Sequence, residues 1–157
     1  MTVKFLIKAL SKKKFNDLMG CTDNELVNKH AKWITVDESP CYPCRVSLID
    51  ANVGERVLAL PFMHHDVESP YKASGPIFVR ENAKTAKLDI GEIPEMLRHR
   101  LLSVRAYNSE KIIIAAESLE GKALELAIER QFKNSEVEYI HIHNANQGCF
   151  NCSVHRA

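Results

Sequence analysis

Apolar positions along this chain switch repeatedly between a period of two and a period near four. Val3, Phe5, Ile7 and Ala9 alternate with Lys4 and Lys8, the mark of a half-buried strand. A short helical stretch is predicted over Phe15–Met19, and Thr22-x-x-Glu25 reads as a capping box that opens a helix to about Lys29. Alternation over Trp33–Asp37 predicts a second strand that ends before Pro40. Arg45–Ala51 and Arg56–Phe62 are rich in Val, Ile and Leu and flank Asn52-Val53-Gly54-Glu55, so they are predicted as a hairpin with glycine where a positive φ is needed.

A polar loop over His64–Ser74 follows, then Gly75-Pro76 and a strand over Ile77–Arg80. Pro94 is expected to start a short helix to about His99. Leu101–Asn108 and Lys111–Ser118 form a second predicted hairpin, and Val137–Asn144 with Cys149–Arg156 a third, joined through Ala145-Asn146-Gln147-Gly148. Between them Leu124, Ile128 and Phe132 recur at helical spacing, with Lys122, Glu125 and Glu129 for the wet side. Strands joined by hairpins, with a few helices, imply an α+β fold: one domain over residues 1–157, a largely antiparallel sheet, and two to four helices packed on it.

Composition narrows the function classes. A formal net charge of +1 provides no bulk electrostatic drive toward nucleic acid or an anionic membrane. The apolar runs at Val57–Met63 and Ile112–Ala116 are too short to span a bilayer, and Lys4 and Lys8 interrupt the N-terminal apolar run, so no secretory leader is expected. Five cysteines, an odd number, fit reduced thiols better than a disulfide scaffold. A cytoplasmic, soluble protein is the expectation.

Candidate chemistry concentrates in the last hairpin. On its first strand Tyr139, His141 and His143 share a face; on the returning strand Cys149, Asn151 and Ser153 share one, opposite Phe150, Cys152 and Val154. Facing the apolar sets to the core puts His141, His143 and Cys149 together, a set able to hold zinc or to pair a thiol with a base. Cys41-x-x-Cys44 and Cys149-x-x-Cys152 resemble paired zinc knuckles, but residues three apart on a strand point to opposite faces. In the loop, His64 and His65 should diverge, so at most one joins a given site. Arg45, Arg80 and Arg105, flanked by apolar residues, could converge on an anion, with Asp50 as a candidate partner. No glycine-rich phosphate loop, HExxH or GxSxG motif is present.

The runs PCRVSLIDANVGE (Pro43–Glu55), SPYKASGPIFV (Ser69–Val79), LLSVRAYN (Leu101–Asn108) and YIHIHNANQGCF (Tyr139–Phe150) resemble an uncharacterised, mainly bacterial family, domain of unknown function 1203. The resemblance covers nearly the whole chain. It implies a protein of about this size with no assigned activity. Cys44, Arg45, Asp50, Tyr71, Arg105, Tyr107, His141 and Cys149 match the family pattern, whereas Cys41 and Cys152 do not, which shifts weight to Cys44 and Cys149 singly.

Together these readings predict a polar pocket for a small anionic ligand, with Arg45, Tyr71, Arg80, Arg105, Tyr107 and His65 as its binding residues. Cys149 or Cys44 would be the nucleophile and His141 the base. One alternative is a zinc- or other metal-binding domain using His141, His143 and Cys149, joined by Cys44 or His65. Another is a non-enzymatic interaction domain that forms a homodimer.

Overall fold

The computed structural model describes residues 3–157, and the strands divide between two antiparallel sheets rather than forming one. In the larger sheet β1 (Phe5–Lys8), β8 (Phe150–Arg156), β7 (Tyr139–Asn144), β5 (Leu101–Tyr107) and β6 (Ile113–Glu120) lie side by side in that order. The smaller sheet has β3 (Arg56–His65) between β2 (Lys32–Thr35) and β4 (Ala73–Arg80). The α+β expectation holds, with four α-helices: α1 (Asn16–Met19), α2 (Asp23–Asn28), α3 (Glu95–Arg98) and α4 (Leu124–Phe132). Among the described residues no helix is long and apolar enough to cross a membrane.

Each sheet buries one face in its own apolar cluster. Leu102, Val104, Ala106, Ile140, Ile142 and Val154 of the larger sheet pack against Leu97 of α3 and Leu124, Ile128 and Phe132 of α4. This is the face the period-two pattern assigns to the core. Leu58, Leu60, Ile77 and Val79 of the smaller sheet pack against Phe15 and Leu26 from the helical N-terminal segment. The capping box forms as read: the Thr22 hydroxyl accepts from the Glu25 amide and the Glu25 carboxylate from the Thr22 amide.

One predicted hairpin does not form. Arg45–Ala51 is not a strand, and β3 pairs instead with β2 and β4. The segment folds into a compact turn in which Leu48, at φ 54°, donates its amide to the Cys44 carbonyl. Its backbone is tied outward to several elements: Leu10 N–H donates to the Arg45 carbonyl, Arg45 N–H to that of Phe78, and Ala86 N–H to that of Val46. Arg45, Val46, Leu48 and Ala51 are all buried. The apolar run therefore plugs a junction between elements, and burial rather than ladder pairing explains its composition. Gly54 does adopt positive φ (92°), in the turn that leads into β3.

The loop His64–Ser74 is shorter than expected, because β3 continues through His65 and β4 starts at Ala73. Two register shifts matter for the site. In the β3–β4 ladder Phe62 faces Gly75 and His65 faces Ala73, so β3 carries one extra residue. In the β7–β8 ladder Ile142 faces Cys152 and His143 faces Phe150, so Asn151 is the extra residue on β8. Both are β-bulges, which turn side chains from the face that strict alternation would assign.

Candidate functional site

The face of the larger sheet opposite its helices carries Arg105 and Tyr107 from β5, Tyr139, His141 and His143 from β7, and His155 from β8. Strand pairing sets Arg105 opposite His141 and Tyr107 opposite Tyr139. The end of β3 comes down onto this face. The β3 bulge lets both adjacent histidines join, correcting the expectation that they would diverge. The His64 ring lies 5.0 Å from that of His143 and 6.3 Å from that of His141, and the His65 ring 5.1 Å from that of His141. The β8 bulge brings Phe150, expected in the core, onto the same face, where it stacks on His64 at 5.3 Å.

Hydrogen bonds define two of the ring tautomers. His143 Nδ1–H donates to the Gly148 carbonyl at 2.8 Å, which leaves Nε2 as a lone pair. His65 Nδ1–H donates to the Tyr71 carbonyl at 2.8 Å, so its Nε2 accepts from the Tyr139 hydroxyl. His64 Nδ1, His141 Nδ1 and His143 Nε2 are buried with no partner. Burial is the main cause of depressed pKa values throughout: His141 falls to about 2, His143 to about 3 and His64 to about 4. Charge repulsion adds to it, from His65 and Arg105 on His64, from His65 and His143 on His141, and from Arg105 on His143. His64, His141 and His143 are neutral at physiological pH.

Beside this cluster lies a second constellation. Arg45 is fully buried, 0% exposed, with its guanidinium divided among three acceptors. Nε donates to the Phe150 carbonyl at 2.7 Å, Nη1 to the Pro43 carbonyl at 2.5 Å, and Nη2 to the Cys149 sulfur at 3.1 Å. Asn144 Nδ2 donates to the same sulfur at 3.3 Å. Among the described residues no carboxylate pairs with Arg45. Burial pulls the guanidinium below its ordinary pKa, and the facing Cys149 sulfur acts in the opposite direction. Asn144 also lines a polar cleft of about 340 Å³ together with Asn146, Gln147, His99 and Arg100.

The remaining predicted residues separate. Arg80 does not face Arg105: it pairs with Glu55 (Nη2 to Oε2, 2.9 Å) and reaches Ser47. Asp50 pairs with Arg100 and His99, which the sequence did not single out. Cys44 is buried in the smaller cluster and accepts from the Ser47 and Arg80 amides, so it has different partners from Cys149. Tyr71 is half-exposed, its ring 6.3 Å from that of Tyr107. Arg105 bonds Ser103 through Nε (3.1 Å) and makes no ion pair among the described residues. The Cys149 sulfur accepts from Arg45 and Asn144, beside the strand that carries His141 and His143. Among the described residues no three His, Cys, Asp or Glu side chains are placed to hold a metal ion. Phe150 was missed because nothing in the sequence announces a bulge at Asn151. Tyr139 was legible, since it stands two residues before His141 on one strand face.

A family model described as protein of unknown function (DUF1203) matches residues 41–156. The chain belongs to this family. The match begins at Cys41, so the N-terminal segment that carries β1, α1, α2 and β2 lies outside it. Arg45 and Cys149, both inside the matched span, meet in space at the second constellation. No curated protein and no solved structure matches the chain.

Proposed function

We propose that this protein binds a small anionic ligand beside Cys149 and that the Cys149 sulfur is a nucleophile. One observation carries the reading: a fully buried guanidinium that, among the described residues, pairs with no carboxylate and donates to that sulfur and two carbonyls. An unpaired charge in a protein interior costs several kcal/mol, about 3–5 when a buried pair is broken, so Arg45 calls for a negatively charged partner, and an anionic ligand beside Cys149 supplies one. A sulfur that accepts from a guanidinium and an amide is placed to act as a nucleophile.

The ligand's charge follows from the same balance. An anionic group on the ligand offsets Arg45 while the sulfur attacks an electrophilic carbon of that ligand. The C–S bond forms as the bond to a leaving group breaks, the group departs with the bonding electron pair, and the sulfur's proton passes to solvent. The polar cleft at Asn144, Asn146 and Gln147 supports an approach from that side. Five free thiols, two of them buried, support a reducing compartment such as the cytoplasm.

Site-resolved alkylation tests the reading. At neutral pH Cys149 should react at least about tenfold faster than Cys41, although Cys41 is the more exposed. It should also prefer iodoacetate over neutral iodoacetamide, a preference the other cysteines lack. Arg45→Met, or the milder Asn144→Ala, should reduce both effects. A Cys149 no more reactive than Cys41 would refute the proposal.

A further inference from the structure

The two sheets end in the edge strands β1, β6, β2 and β4, and all but β6 are short or covered. β1 has four residues, and its Phe5 carbonyl accepts from Gly91 N–H. β2 also has only four. Along β4 the Phe78 carbonyl accepts from Arg45 N–H, and Pro76 removes a donor.

β6 differs. It runs for eight residues along the outside of β5 and contains neither lysine nor proline, the residues that keep an exposed edge from pairing. Among the described residues its outer N–H and C=O groups have no backbone partner. A bulge lies near its start: Ala106 faces Ala115 and Tyr107 faces Ile113, so Ile114 is the extra residue. Beyond the bulge the strand is regular. On the face opposite the helices it presents Ala116, Ser118 and Glu120, paired with Arg105, Ser103 and Leu101 of β5. Neither Arg105 nor Glu120 makes an ion pair among the described residues.

We infer that β6 pairs antiparallel with β6 of a second copy of this chain, about a two-fold axis through Ser118, and joins the two larger sheets into one. The inference is independent of the reading of Cys149.

The position of the axis follows from the residues it brings together. Through Ser118, Ala116 lies opposite the partner's Glu120, and Arg105 stands on the next strand behind Ala116. Two strand spacings, about 10 Å, separate the partner's Glu120 from Arg105. An extended arginine and a glutamate span that distance, and the small Ala116 side chain leaves the line open. Each Arg105 thus meets the carboxylate its own chain does not provide, and symmetry makes the pairing twice. The partner's Glu120 joins the face that carries Tyr107, His141 and His143. On the helix side Glu117, held by Arg130 and Gln131 of its own chain, faces the partner's Leu119. An axis through Glu117 would set that carboxylate against its own copy. One through Ala116 would carry the Ile114 bulge into the pairing.

Sedimentation equilibrium on the full chain tests the pairing. At about 100 μM the protein should be mainly dimeric. Glu120→Arg sets two arginines together and should weaken the dimer at least about tenfold, and adding Arg105→Glu should restore it. The register has its own test. Ser118→Cys, on the axis, should link to itself under mild oxidation, as read by peptide mass spectrometry. Ala116→Cys should link to Glu120→Cys in a mixture of the two variants, and not to itself. A monomer at about 100 μM would leave the edge to a strand of some other protein and overturn the inference. So would a dimer indifferent to Glu120→Arg, or one in which Ala116→Cys rather than Ser118→Cys links to itself.

Discussion

The Arg45 guanidinium and the Cys149 sulfur lie 3.1 Å apart although 104 positions separate them in the chain. The contact ties the turn after Pro43 to the start of β8. Because Arg45 also binds the Phe150 carbonyl, it grips the bulged end of that strand through both backbone and side chain.

Removing that grip should be costly. Arg45→Ala takes this donor from the Phe150 and Pro43 carbonyls and leaves the Cys149 sulfur with Asn144 alone, with an expected loss of about 3–5 kcal/mol of stability. Arg45→Lys should recover little, since a single ammonium cannot reproduce a planar fork aimed at three acceptors. Urea unfolding followed by the fluorescence of Trp33 measures both. A loss below about 1 kcal/mol for the alanine variant would show that the buried fork contributes little.

Gly121 marks a close backbone approach. A methyl group there would stand 1.8 Å from the Leu97 carbonyl oxygen, and Gly121 N–H donates to the Arg100 carbonyl at 2.7 Å. Gly121→Ala must push α3 away from α4 and should destabilise by at least about 2 kcal/mol. Gly75→Ala, with nothing within 4 Å of the added carbon, should be close to neutral. Melting temperatures of the two variants decide the matter, and similar values would contradict it.

Cys152 gives a pH dependence with a definite sign. Full burial pushes its thiol up to about 12 from an ordinary 9. Above pH 9 the unfolded thiol loses its proton while the folded one keeps it. The stabilisation is thus complete below pH 9 and is lost as pH rises toward 12, at up to about 1.4 kcal/mol per unit. Cys152→Val should flatten the alkaline limb of stability by about that slope. An unchanged limb would mean that the thiol is more solvated than its position indicates.

Much of the local architecture was legible because it depends on short-range periodicity. The capping box at Thr22, the α4 stripe of Leu124, Ile128 and Phe132, and the hairpins ending in β6 and β8 all follow from spacing that neighbouring residues impose on one another. Arg45–Ala51 misled for a related reason. Its Val, Leu and Ile content reports burial, and a buried turn and a buried strand need the same residue types.

The sequence by itself determined the α+β class, the apolar face of the larger sheet, the alignment of Tyr139, His141 and His143 on one strand face, and the family. Tertiary structure alone decided the site. Two single-residue bulges, invisible to alternation, brought His64 and His65 together onto His141 and moved Phe150 from the core side to theirs. The partner of each arginine was set by long-range packing: Glu55 for Arg80, Cys149 for Arg45, and no carboxylate among the described residues for Arg105. Such pairings depend on which surfaces the folded chain closes off from water, and no pattern of neighbouring residues encodes that.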